Sequence, residues 1–107
     1  MSIRYLHLTL MAASIAFAGN VLAGDGEALA KKNNCTNCHA LDKKGVGPSF
    51  KDIAAKYKDD KNAQAKLEKK VRGGGSGVWG KMPMPVTAKS VSDDDIKSIV
   101  QWVLSAK

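Results

Sequence analysis

A chain of 107 residues, 44% hydrophobic and 25% charged, is short of the usual length for two domains and ordinary for one soluble globular domain. Its formal net charge of +7 raises nucleic acid or an anionic membrane as partners. The lysines are scattered, however, with no basic aromatic platform, and read better as a solvated surface that steers encounter with an acidic protein.

The chain opens with Met1-Ser2-Ile3-Arg4, an apolar run from Leu8 to Gly19, and Val21-Leu22-Ala23, with small or apolar residues where a signal peptidase needs them. The run is about a dozen residues long, short of the ~20 that a spanning helix needs. Residues 1–23 are therefore expected to be a cleaved signal peptide, with export to the periplasm and no stable membrane insertion. A single arginine argues against a twin-arginine leader. Residues 24–107 remain as one domain; losing Arg4 and no acid leaves 16 basic against 10 acidic side chains, a net +6. A chain of that size is close to the point where a protein core alone becomes marginal, so a cofactor is expected to complete it.

The remaining periodic segments read as helices, with no alternating run long enough for a sheet. The first follows Gly24, carries Asp25 and Glu27 where they oppose the helix dipole, and runs through Leu29 toward Asn33. It feeds into Cys35. The second starts at Pro48-Ser49, with Ser49 as cap and Asp52 three residues on, and places Phe50, Ile53, Ala54 and Tyr57 on one face. The third runs from about Asn62 with Ala63, Leu67 and Val71 at four-residue spacing and ends at Gly73. The last starts at Ser92 before Asp93-Asp94-Asp95, and its core stripe is Ile96, Ile99, Val100, Val103 and Leu104, with Trp102 at the border. Between the third and fourth, residues 73–90 form a long glycine- and proline-rich stretch, a length that inside so small a domain marks function.

Both cysteines fall in Cys35-Thr36-Asn37-Cys38-His39, the C-x-x-C-H pattern of c-type haem attachment. Residues three apart on a helical turn project from nearly one face, so two thiols at this spacing reach the two vinyl groups of one haem, and His39 follows beneath the iron. A disulfide, a thioredoxin-like redox pair and half of a zinc site are the alternatives. The redox pair calls for alternating strands and helices. Zinc calls for four ligands, where residues 24–107 hold two cysteines and one histidine.

With Asn34-Cys35-Thr36-Asn37-Cys38-His39, Val46-Gly47-Pro48, Lys51-Asp52-Ile53-Ala54-Ala55-Lys56, Gly77-Val78-Trp79-Gly80, Pro83-Met84-Pro85 and Trp102-Val103-Leu104-Ser105, the sequence resembles class I cytochromes c. Among these it is similar to the short bacterial monohaem cytochromes that donate electrons to nitrite reductase. The resemblance implies an all-α fold, about four short helices around one covalently bound haem c, with the first and last helices packed together. It also implies a monomeric single-electron carrier rather than an enzyme, fed by a donor such as a cytochrome bc1-type complex and emptied by a nitrite reductase or terminal oxidase.

Residue by residue, the resemblance assigns Cys35 and Cys38 to the thioethers and His39 and Met84 to the two axial positions of the iron. Met82 is the rival sulfur, but Met84 alone has proline on both sides, which stiffens its loop. The Pro48 carbonyl accepts from the second ring nitrogen of His39 and fixes its tautomer. Trp79 reaches a propionate through its indole N–H, and Trp102 packs the last helix on the first. The arginine that meets a propionate in some relatives is replaced by Lys70, with Arg72 nearby, and the resemblance does not decide between them. Val86 and Thr87 also depart from the family pattern after Met84, and Lys89-Ser90 look like an insertion. Lys31, Lys32, Lys43, Lys44, Lys51 and Lys81 are candidates for steering a partner.

Overall fold

The computed structural model describes residues 23–107. The expected leader, save its last residue, lies outside the described residues. Four helices follow in chain order: α1 (Ala23–Lys32), α2 (Phe50–Lys56), α3 (Ala63–Gly73) and α4 (Asp93–Leu104), with a 3-10 turn at Cys35–Asn37 between the first two. Among the described residues there is no strand beyond one isolated antiparallel bridge between Gly75 and Met84, and no helix long and apolar enough to cross a membrane. The all-α expectation is met.

Local chemistry explains the boundaries. Ser49 and Ser92 sit in extended backbone and accept hydrogen bonds from Asp52 N (3.0 Å) and Asp95 N (3.1 Å), so each satisfies an amide that its helix leaves unpaired. Asp52 and the Asp93–Asp95 run then place negative charge at the positive ends of the helix dipoles. α1 ends differently. Asn33 bonds Leu29 O through both its amide (3.0 Å) and its side chain (2.9 Å), and Asn34 takes the left-handed conformation (φ 63°) that asparagine tolerates better than most residues. That turn redirects the chain into the Cys35–Asn37 turn.

α4 is the hub, packing against α1, α3 and α2. Its stripe of Ile96, Ile99, Val100 and Val103 is buried with Ala30, Phe50, Ile53 and Leu67; Leu104, expected in the stripe, is half-buried at its edge. Trp102 meets Phe50 edge-on at 4.9 Å between ring centroids. Its Cβ also lies against α1 at Gly26, where a side chain would run into Trp102 Cβ and the Ser98 carbonyl oxygen. The packing of the last helix on the first thus depends on having hydrogen alone at position 26.

Gly26→Val should force α1 and α4 apart and destabilise the haem-loaded protein by about 1–3 kcal/mol. Guanidinium unfolding followed by far-ultraviolet circular dichroism measures this; unchanged stability would show that the crossing is looser than described.

Candidate cofactor site

An open cleft lies between the Cys35–Asn37 turn, the helices and the loop that follows α3. Its walls are Phe50, Ile53, Leu67, Ile99, Val100 and Val103, its rim includes Val46, Val78 and Trp79, and among the described residues Lys70 is its only lysine, arginine or carboxylate. Such a lining suits a broad apolar ring better than a polar substrate.

Cys35, Cys38 and His39 share the near wall. Asn37 N, Cys38 N and His39 N bond back to Asn34 O, Cys35 O and Cys35 O at 3.1, 3.3 and 3.0 Å, a tight turn on which residues three apart are nearly eclipsed. The sequence pattern called for a helical turn; the structure supplies its 3-10 form. Burial pushes the Cys35 thiol above the ordinary cysteine range, and a backbone hydrogen bond opposes this only in part.

The His39 ring is held from three directions. Its Nδ1 lies 2.7 Å from Pro48 O, so Nδ1–H donates and Nε2 is left as the nitrogen available to a metal. Phe50 stacks on it at 5.3 Å between centroids. Gly47 backs it so closely that a Cβ there would stand 2.6 Å from Cε1 and 2.9 Å from Nδ1. The intervening loop is itself anchored: Gly47 N bonds Cys38 O at 2.8 Å, and Phe50 N and Lys51 N bond Ala40 O and Leu41 O at 2.8 and 3.0 Å.

Met84 lines the same cleft and is half-buried, and its N–H and carbonyl both pair with Gly75 at 2.9 Å. Gly74, at φ 66°, passes so close to the Met84 carbonyl oxygen and to Pro85 that no side chain fits. Met82 also lines the cleft but is 67% exposed. Trp79 is 47% exposed at the rim, with Lys56 Nζ 5.3 Å from its ring centroid, a cation–π contact that nothing in the local sequence signals.

The two cations left open by the sequence separate cleanly. Lys70 lines the cleft, with its Nζ 3.3 Å from where a side chain at Gly75 would begin. Arg72 is committed elsewhere, to Ala88 O, Val91 O and Asp93, and does not line the cleft. Thr87, one of the departures from the family pattern, gives its hydroxyl hydrogen to Val71 O at 2.6 Å. Of the candidate steering lysines, Lys31 pairs with Glu27 at 3.3 Å and Lys51 is half-buried, while Lys32, Lys43, Lys44 and Lys81 are exposed.

The donor set fits haem. Two thiols, an imidazole nitrogen and two thioethers line one apolar cleft, whereas no three His, Cys, Asp or Glu side chains among the described residues are grouped to hold a bare metal ion.

Comparison with known proteins agrees. The cytochrome c family model matches residues 23–107. Cytochrome c-552 of Nitrosomonas europaea is 48% identical over 99 residues, covering 92% of this chain and 93% of its own. Cytochrome c-551 of Pseudomonas aeruginosa is 44% identical over 103 residues, covering 96% and 97%. The crystal structure of wild-type Nitrosomonas europaea cytochrome c552 superposes with a TM-score of 0.71 at 52% identity, over 76% of this chain and 99% of that one. The Sideroxydans lithotrophicus class 1 cytochrome MtoD does so with a TM-score of 0.67 at 34% identity, over 78% and 94%. The chain thus belongs to the cytochrome c family, among its small class I monohaem electron carriers, and its cofactor is one covalently attached haem c.

Proposed function

We propose that this protein is a periplasmic single-electron carrier whose haem is attached through Cys35 and Cys38 and whose iron is held between His39 and Met84. The observation that carries this reading is the His39 seat: Pro48 takes Nδ1 at 2.7 Å and leaves Nε2 for the metal in a cleft that Met84 also lines. When bound, the haem supplies an iron that cycles between ferrous and ferric, and a methionine sulfur opposite histidine favours the ferrous state and raises the reduction potential. The protein's own part is to hold both donors in place, exclude water with the apolar walls, and leave Val46, Val78 and Trp79 at an open rim for electron exchange. Lys70 and the half-exposed Trp79 both line the cleft and are read as the groups that meet the propionates. With both axial positions filled by side chains, no coordination site is left for a substrate, which suits a carrier and not an enzyme.

The donor is read as a cytochrome bc1-type complex and the acceptor as a nitrite reductase or terminal oxidase. Support comes from the resemblance and from charge. Without its leader the chain carries net +6, which two ionised propionates reduce to +4, so an acidic docking site attracts it at long range. Redox encounters are small in area and short-lived, which keeps that attraction modest.

A reduced-minus-oxidised absorption spectrum reports the c-type haem directly. Met84→Ala should then lower the potential and open the ferric iron to cyanide and the ferrous iron to carbon monoxide, whereas Met82→Ala should leave both ligation and potential near wild type. The reverse pattern would assign the sulfur to Met82; access in the wild type itself would point to a ligand-binding haem protein.

Electron delivery to a purified periplasmic reductase or oxidase, followed by stopped flow, should slow modestly as ionic strength rises, because salt screens charges beyond about 8 Å at physiological strength. A rate that climbs with salt would rule out attraction between net charges.

A further inference from the structure

Residues 85–92 carry the chain from Met84 to the first turn of α4 with no helix or strand. Ser92 bonds forward into its own helix. Every other hydrogen bond that ties this stretch to a different part of the described molecule ends on Val71 or Arg72, in the last turn of α3. Thr87 bonds Val71 O through its hydroxyl (2.6 Å) and Arg72 O through its amide (3.3 Å). In the other direction, the Arg72 guanidinium reaches Ala88 O (3.1 Å), Val91 O (2.7 Å) and Asp93 Oδ1 (2.7 Å).

We propose that Arg72 is a positioning residue for the Met84 ligand, strapping residues 87–93 to the end of α3 so that the sulfur stays over the iron. This rests on the reading of Met84 as the axial donor. Upstream, Met84 is fastened by its two backbone bonds to Gly75, two residues past the end of α3; downstream, the next attachment is the strap at Thr87 and Ala88. Both fastenings therefore return to one helix end, and lifting the sulfur away requires one of them to yield.

The chemistry indicates which contact matters. The Asp93 side chain is 95% exposed, so its ion pair with Arg72 is screened and contributes little. The two carbonyl bonds come from a guanidinium whose side chain is only 32% exposed, and charge assistance makes such bonds stronger than neutral ones. A planar fork serves two carbonyls and a carboxylate at once; an ammonium group in the same place recovers only part of that set.

The test uses haem-loaded wild type, Arg72→Leu, Arg72→Lys, Asp93→Ala and, as control, Gln64→Ala. Gln64 bonds Lys97 O at 3.1 Å and so links the other end of α3 to α4 without touching residues 85–92. For each, the ferric methionine-to-iron charge-transfer band, the rate of cyanide binding and the global unfolding free energy are measured. Arg72→Leu should weaken the band and bind cyanide roughly tenfold faster or more, as expected for loss of charged hydrogen bonds. Arg72→Lys should fall between it and wild type, while Asp93→Ala and Gln64→Ala stay within about twofold. Wild-type cyanide kinetics in Arg72→Leu, or equal acceleration by a Gln64→Ala variant of matched stability, would overturn the proposal while leaving Met84 as ligand. Should Arg72→Leu fail to fold, Arg72→Lys decides on the same terms. A wild type without the band overturns the Met84 reading itself, and the positioning role with it.

Discussion

Everything in this small protein depends on one sharing of surface: the side chains that form its hydrophobic core also form the wall of its cofactor cleft. Phe50, Ile53, Leu67, Ile99, Val100 and Val103 belong to both, leaving Ala30 and Ile96 as the buried cluster members that face only protein. A chain of this length is near the limit of what its own apolar burial can hold together. Haem is consequently a structural element as much as a redox one. When bound, its apolar ring would cover cleft side chains whose exposure costs about 25 cal/mol per Å².

The two walls are held by different means. On the histidine side, continuous chain from Asn34 to Phe50 folds back on itself, and its anchors are short-range: the turn at Cys35, the bond from Gly47 to Cys38, and the Pro48 carbonyl on the His39 ring. On the methionine side, the loop has no helix of its own and borrows order from the end of α3, through the Gly75 bridge and the bonds of Val71 and Arg72. The first wall suits a ligand that never leaves. The second depends on a few separable contacts, so, with Met84 as the proposed ligand, the sulfur side is where substitutions are expected to tune ligation and potential.

What was legible in the sequence was local. Ser49 and Ser92 announce helix starts because a cap acts on amides two or three residues away, and the α4 stripe declares itself through its period. The Cys35–His39 pattern carries its chemistry within five residues. What could not be read depends on partners remote in sequence. Gly26 matters because Ser98 and Trp102 cross it, Lys56 because Trp79 lies under it, and Arg72 because the chain returns past it sixteen to twenty-one residues later. In the sequence Arg72 is one more cation on a lysine-rich helix. The helical turn expected at Cys35–Cys38 takes the 3-10 form, and both cysteines line the cleft.

The central proposal is that His39 and Met84, which line one cleft, are the two side chains that hold the iron. Proton magnetic resonance of the ferrous protein, with methionine labelled at the methyl carbon, tests it most directly, because a methionine seated over the haem is shifted far upfield by the ring current. The account predicts one such methyl, assigned to Met84 by its loss in Met84→Ala, and a Met82 methyl outside the shifted region. An upfield methyl that belongs to Met82, or none at all, would contradict it.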